Sequence, residues 1–191
     1  GNLTVVTAGA LTQSGVISAN AGTATFNAGA TGDITLTNGA NDFGTLAIAA
    51  GRNVAVSDAN GIVLGTSIVS GNLSVTANGA ITQSGALTVN GGGTTASFNA
   101  VQATNSITLG NASNDFATVA IVTANDVTLR DTNALILAAS TVSGNLSVTS
   151  NGAITQSGAI IANGAGTTAT FNTVQNTNAL TLGNASNRSE E

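Results

Sequence analysis

Seven residue types are missing from this 191-residue chain: cysteine, proline, histidine, lysine, methionine, tyrosine and tryptophan. Without cysteine there are no disulfides and no thiolate metal sites, and the compartment is left open. The loss of histidine, cysteine, lysine and tyrosine removes most nucleophiles, near-neutral bases and Schiff-base amines, so any catalysis would have to rest on aspartate. The lack of proline keeps every amide donor available to a long strand ladder. Charge is scarce too. Only 6% of residues are charged, against roughly 25% in an ordinary globular chain, so solubility rests on Ser, Thr, Asn and Gly. Arg52, Arg130 and Arg188 are the only cations and the net charge is −5, which argues against a surface for nucleic acid or an anionic membrane. No apolar run approaches the roughly 20 residues of a membrane-spanning helix, so no membrane insertion is expected. The longest, Ala134 to Ala139, is strand-sized.

What is present is repetition. GNLTVVTAGALTQSG opens at Gly1, GNLSVTANGAITQSG at Gly71 and GNLSVTSNGAITQSG at Gly144, so the starts lie 70 and then 73 residues apart. The match continues downstream: Thr94 to Asn99 recurs as Thr167 to Asn172, and Ile107 to Asn114 as Leu180 to Asn187. Such self-similarity marks a repeat architecture. The units are read as 1–70, 71–143 and a partial 144–187, forming one continuous segment. At Arg188 the chain leaves the pattern, and 188–191 are expected to be an appended tail outside the fold. The opening on a repeat phrase, with no leader pattern, suggests an excerpt of a longer protein.

With 42% hydrophobic residues the chain buries a core. Within the full unit, short runs alternate apolar residues with Ser or Thr: Leu73 to Val75, Ala80 to Thr82, Leu87 to Val89, Ala96 to Phe98, Ile107 to Leu109, Val119 to Ile121, Val127 to Leu129, Leu135 to Leu137 and Thr141 to Ser143. A period of two with β-branched residues is the mark of half-buried strands. Nine strands divide into about three coils of roughly 24 residues. Asn78-Gly79, Asn90-Gly91, Asn151-Gly152 and Asn163-Gly164 fall between the runs, where tolerance of positive φ would suit sharp corners. Such pairs also signal two-residue hairpins, but three-residue runs are short for a meander and suit strands that pair with the coils above and below. An array of immunoglobulin-like sandwiches would need longer strands, aromatic anchors and linkers, none of which is seen. The expected fold is all-β, a right-handed parallel β-helix with about three coils per 70–73-residue repeat. Asn is expected to form ladders at its corners, and Phe26, Phe98, Phe171, Phe43 and Phe116 to fill the core.

The run Gly71 to Gly85, followed by Ile107 to Leu109 and Asp126 to Leu129, resembles the repeat shaft of filamentous haemagglutinin-like exoproteins. The resemblance covers Gly1 to Asn187. It implies a segment of a very large bacterial surface or secreted protein that is exported through an outer-membrane transporter. Such a β-helical filament presents adhesive regions to cells or a matrix. Long autotransporter passengers share this texture, and the family's N-terminal secretion domain is not in this sequence.

Candidate chemistry is sparse. Asp115, Asp126 and Asp131 form the densest acidic group, with Asp42 and Asp58 in the corresponding part of the first unit. Paired carboxylates can serve glycoside hydrolysis, but the basic and aromatic residues that polysaccharide-cleaving sites use are missing. Asp is read as a turn residue instead. Asp58 to Gly61 and Asp131 to Ala134 echo the start of a calcium loop without its downstream Glu, and Gly91 to Gly93 lacks the Lys and helix of a phosphate cradle. No catalytic, cofactor-binding or metal residue is assigned. The Asn-x-Ser/Thr sequons at Asn2, Asn72, Asn111, Asn145 and Asn184 are attributed to corner chemistry. Thr23-Ala24-Thr25, Thr35-Leu36-Thr37 and Thr168-Ala169-Thr170 raise ice binding as an alternative, beside a polysaccharide-binding or polysaccharide-processing β-helix, though these pairs are not expected to stack once per coil. The expected role is a structural and adhesive shaft, not an enzyme, with a surface receptor, glycan or matrix component as partner. Open coil ends would favour end-to-end self-association.

Overall fold

The computed structural model describes residues 1–189 and contains strands, turns and no helix among them. Every strand pairing is parallel, and the chain winds as a β-solenoid. Sheet A stacks Leu3–Val6, Ser18–Asn27, Asp42–Ala50, Ile62–Leu64, Ile81–Gln83, Ile107–Leu109, Val127–Asp131, Leu146–Ser150 and Ala169–Thr173. Sheet B stacks Leu11–Thr12, Ile34–Leu36, Val54–Asp58, Leu73–Ala77, Thr95–Ala100, Thr118–Thr123, Leu135–Leu137, Ile154–Gln156 and Leu180–Thr181. Nine rungs in each sheet make eight turns from first to last, with neighbouring rungs 18 to 26 residues apart in sequence.

All nine runs singled out in the full unit are strands, and Asp115–Phe116 adds a tenth. Their alternation puts aliphatic side chains inward, where like stacks on like: Ile62, Ile81, Ile107, Val127 and Leu146 form one buried column. Phe26 packs edge-on against Phe43 at 6.1 Å, and Phe98 repeats this against Phe116 at 6.2 Å. In the third unit Arg188–Ser189 occupies the ladder place of Asp115–Phe116, while 190–191, the rest of the expected tail, lie outside the described residues. Phe171, without the partner that Phe98 has, is half-buried and borders a cavity of about 250 Å³ with Ile160, Ala162 and Leu182.

The coil count per unit comes out sharper than three. Leu3 lies in sheet A, its equivalent Leu73 in sheet B and Leu146 in sheet A again. From Leu73 the ladder steps to Ala96, Val119 and Leu137, and Leu146 follows half a circuit later on the opposite sheet. One unit is therefore three and a half coils of about 21 residues, and equivalent residues alternate between opposite faces. A short third flank switches sides with the same rhythm. Ser67–Ile68, Leu87–Val89 and Asp115–Phe116 lie on the path from A to B, and Ser140–Val142, Ile160–Ala162 and Arg188–Ser189 on the path from B to A.

The corners correct one expectation. Positive φ occurs at Gly29, Gly93 and Gly166, and none of the four Asn-Gly pairs uses it. Their glycines answer a different demand. A Cβ on Gly79 would lie 2.5 Å from the Gly61 nitrogen of the coil beneath, so the side chain is excluded by coil-to-coil contact.

Phe98→Ala should cost about 3–5 kcal/mol in urea unfolding, because a fully buried ring is lost from a rigid stack. Phe171→Ala should cost less than half of that.

Candidate functional site

The two most faithfully repeated phrases are the halves of one clamp. Gln83, from the phrase TQSG, and the buried Asn114, from NASN, exchange amide hydrogen bonds. Gln83 Nε2 donates to Asn114 Oδ1 at 2.8 Å, and Asn114 Nδ2 donates to Gln83 Oε1 at 2.9 Å. Asn114 Oδ1 also accepts the Leu87 N–H at 3.0 Å, its Nδ2 reaches the Leu109 carbonyl at 3.1 Å, and Gln83 Nε2 reaches the Gly85 carbonyl at 2.6 Å. The same set recurs with Gln13 and Asn41, and with Gln156 and Asn187. Each clamp ties one coil to the next and satisfies side-chain amides that burial would otherwise penalise.

The acids divide into two structural groups. Asp131 is fully buried, and its two oxygens accept the N–H groups of Phe116 at 2.8 Å and Asn133 at 2.9 Å. Asp58 does the same for Phe43 and Asn60, at 2.7 and 2.8 Å. Burial pushes both carboxyls above the ordinary aspartate value of 3.8, the N–H donors oppose it, and the nearby charges of Asp42 and Asp115 add to it. Asp115 sits beside Asp131 with both oxygens taken by the amides of Asn90 and Asn133, at 2.6 and 2.8 Å. Asp126, grouped with them in sequence, lies apart at a corner where it accepts the Asn145 N–H at 2.7 Å. These carboxylates are committed to hydrogen bonds within the fold, as a turn role requires. Among the described residues no three metal-ligating side chains gather into a metal site.

Corner ladders form as the asparagine content suggests. Asp33 Oδ1 accepts the Asn53 N–H at 3.0 Å, Asn53 Oδ1 that of Asn72 at 3.1 Å, and Asn72 Oδ1 that of Thr95 at 2.9 Å. Asn2 and Asn145 repeat the step to Thr23 and Thr168, so three sequon asparagines serve the corners. Asn111 and Asn184 close turns by accepting the N–H of Ser113 and Ser186. Arg52 binds Asp33 through two 2.8 Å contacts and holds that carboxyl well below the usual carboxylate range.

The outer faces are where sequence reasoning fell short. The Thr-x-Thr pairs do not stack, but single outward positions form a rank in which six of eight successive neighbours across sheet A are threonine: Thr23, Thr45, Val63, Thr82, Thr108, Thr128, Ser147 and Thr170. The signal lay in single outward positions of separate strands, not in the Thr-x-Thr pairs.

Comparison with known proteins gives three successive matches to one repeat family, at residues 1–50, 51–123 and 124–190. The chain belongs to the DUF5649 family, described as repeats of unknown function. No curated protein and no solved structure matches it. The DUF5649 boundaries have a physical meaning here. Each matched copy contains one whole amide clamp, with Gln13 and Asn41 in the first, Gln83 and Asn114 in the second, and Gln156 and Asn187 in the third. The buried carboxylates work between copies: Asp58 of the second holds Phe43 of the first, and Asp131 of the third holds Phe116 of the second. A DUF5649 copy is thus closed within itself by amides and stitched to its predecessor by a carboxylate.

Gln83→Ala should cost about 1–3 kcal/mol by orphaning buried amide groups, whereas Thr82→Ala next to it, facing outward, should change stability by less than about 0.5 kcal/mol. Paired urea titrations would read both. The buried acids set a pH dependence as well. A carboxyl whose folded value stands above 3.8 favours the fold while neutral and loses that contribution as pH climbs through the raised value. Asp33 has the opposite sign, but its contribution is lost only below 3.8. The melting temperature should therefore fall as pH rises from about 4 towards 7, and the Asp58→Asn/Asp131→Asn variant should lack that slope.

Proposed function

We propose that this chain is a shaft segment of a large bacterial cell-surface or secreted filamentous protein, a non-catalytic spacer that mediates or extends adhesion. The observation that carries the reading is the continuity of the ladders. Val127–Asp131 and Leu146–Ser150 pair at five consecutive positions across the junction at Gly144, with no linker between units. A fold that grows by adding rungs gains length without changing width, which is what a shaft requires. The resemblance of Gly71 to Gly85 to filamentous haemagglutinin-like shafts supports an extracellular location and export through an outer-membrane transporter. The absence of cysteine is compatible with passage through such a pore. The partner is a surface receptor, glycan or matrix component. The full engagement of Asp58, Asp115 and Asp131 in structural hydrogen bonds supports a role without catalysis.

A second reading, ice binding, draws on one observation, the threonine rank of sheet A. Ice-crystal shaping by the purified chain would support it, and unaltered crystal growth would end it.

The shaft reading is tested by appending further copies of residues 51–123 and measuring the particle by small-angle X-ray scattering. Each copy adds three and a half coils at about 4.8 Å, so the maximum dimension should grow by about 17 Å per copy at constant cross-section. A maximum dimension that stays flat, or a cross-section that swells with each copy, would overturn the reading.

A further inference from the structure

The half-coil phase of the unit places one surface pattern on both sides of the rod. On sheet A the outward neighbours Thr23, Thr45, Val63, Thr82 and Thr108 form a rank across five rungs. On sheet B their repeat equivalents Thr95, Thr118, Ile136, Thr155 and Thr181 form the same rank, three and a half coils further along. Both ranks carry four threonines around one aliphatic residue. Val63 and Ile136 each stand outward between two buried leucines or isoleucines of their own strands, and Ile136 is 39% exposed.

We propose that these two ranks form a lateral seam between copies of this chain, sheet A of one rod lying on sheet B of the next. Three observations choose a second copy as the occupant. First, the rungs of each rank are separated by the strand spacing of about 4.8 Å, and another strand stack of the same spacing stays in step along the whole face. Second, neither rank contains a charge: Arg130, the outward cation of sheet A, lies two residues along its strand from Thr128 and would face the uncharged rank of sheet B, while the third flank carries Asp115, so like charge opposes contact through that flank and leaves the broad faces. Third, the size is adequate: nine rungs give a face about 40 Å long and about 15 Å wide, or roughly 1,200 Å² buried over two copies, the lower bound of a specific interface. Every further unit adds to that area, so association strengthens as the shaft lengthens. Because the contact joins unlike faces, each added rod leaves a free face and the assembly stays open, a ribbon of parallel shafts. The inference deepens the shaft reading and rests on it, but rod length tests the shaft and rod width tests the seam.

The experiment is concentration-dependent small-angle scattering and sedimentation of the 191-residue chain and of two charge variants, Thr45→Lys/Thr82→Lys on sheet A and Thr118→Lys/Thr155→Lys on sheet B. All these positions face outward, and thermal melts confirm that each variant remains folded. The unaltered chain should widen with concentration, its cross-sectional area about doubling at the first step. Each variant alone should stay single. Mixed together they should form discrete one-to-one pairs, since the mixture retains one intact A face and one intact B face. Thr88→Lys on the flank should leave widening unchanged. The proposal is overturned if the unaltered chain keeps a constant cross-section at all concentrations, if association adds length only, if either variant still widens alone, or if the mixture fails to pair. The unaltered chain's own behaviour decides the matter even if a variant loses its fold.

Discussion

The parallel ladder between coils is the constraint from which the rest of this structure follows. Each strand is only two to ten residues long and has meaning only as a rung between two others. A rung that must donate on one side and accept on the other has no place for proline, and the chain contains none. A rung stacked directly on its like must match it in size, which favours columns of Ile, Val, Leu and Ala and a pair of edge-on phenylalanines at equivalent levels. Where coils touch at corners, even a Cβ is too large, as at Gly79.

Hydrogen-bonding side chains fill the gaps that the ladder leaves. The amide clamp of Gln83 and Asn114 and the carboxylate of Asp131 each satisfy backbone groups at places where the chain turns out of a sheet. Their division of labour, amides within a copy and carboxylates between copies, makes the unit both a closed module and an incomplete one. Without the Phe116 N–H that the preceding copy supplies, Asp131 Oδ1 loses its donor and only Oδ2, on the Asn133 N–H, stays bonded.

Much of this is legible in the order of the residues alone. The nine alternating runs are strands because each alternation reports a buried face directly, and the asparagine ladder follows from stacking like corners on like. Asp115–Phe116 escaped because two residues carry no period. The clamp escaped because Gln83 and Asn114 are 31 residues apart, although their phrases always recur together. The half coil escaped for a deeper reason. Strands of sheets A and B show the same inside-out alternation, so nothing local distinguishes them, and only the pairing of Leu73 with Ala96 and of Leu146 with Ala169 reveals opposite sides. The threonine ranks inherit that difficulty, since they are assembled from residues that are neighbours across strands and never along them.

A unit of three and a half coils gives repeat number a parity. Duplicating one copy within a longer array leaves every rung intact yet turns everything beyond it through half a revolution about the rod axis. Duplicating two restores the original heading. Gain or loss of a single copy would therefore aim a distal surface to the other side of the shaft without altering one residue in it, and change in copy number becomes a way of steering as well as of reaching.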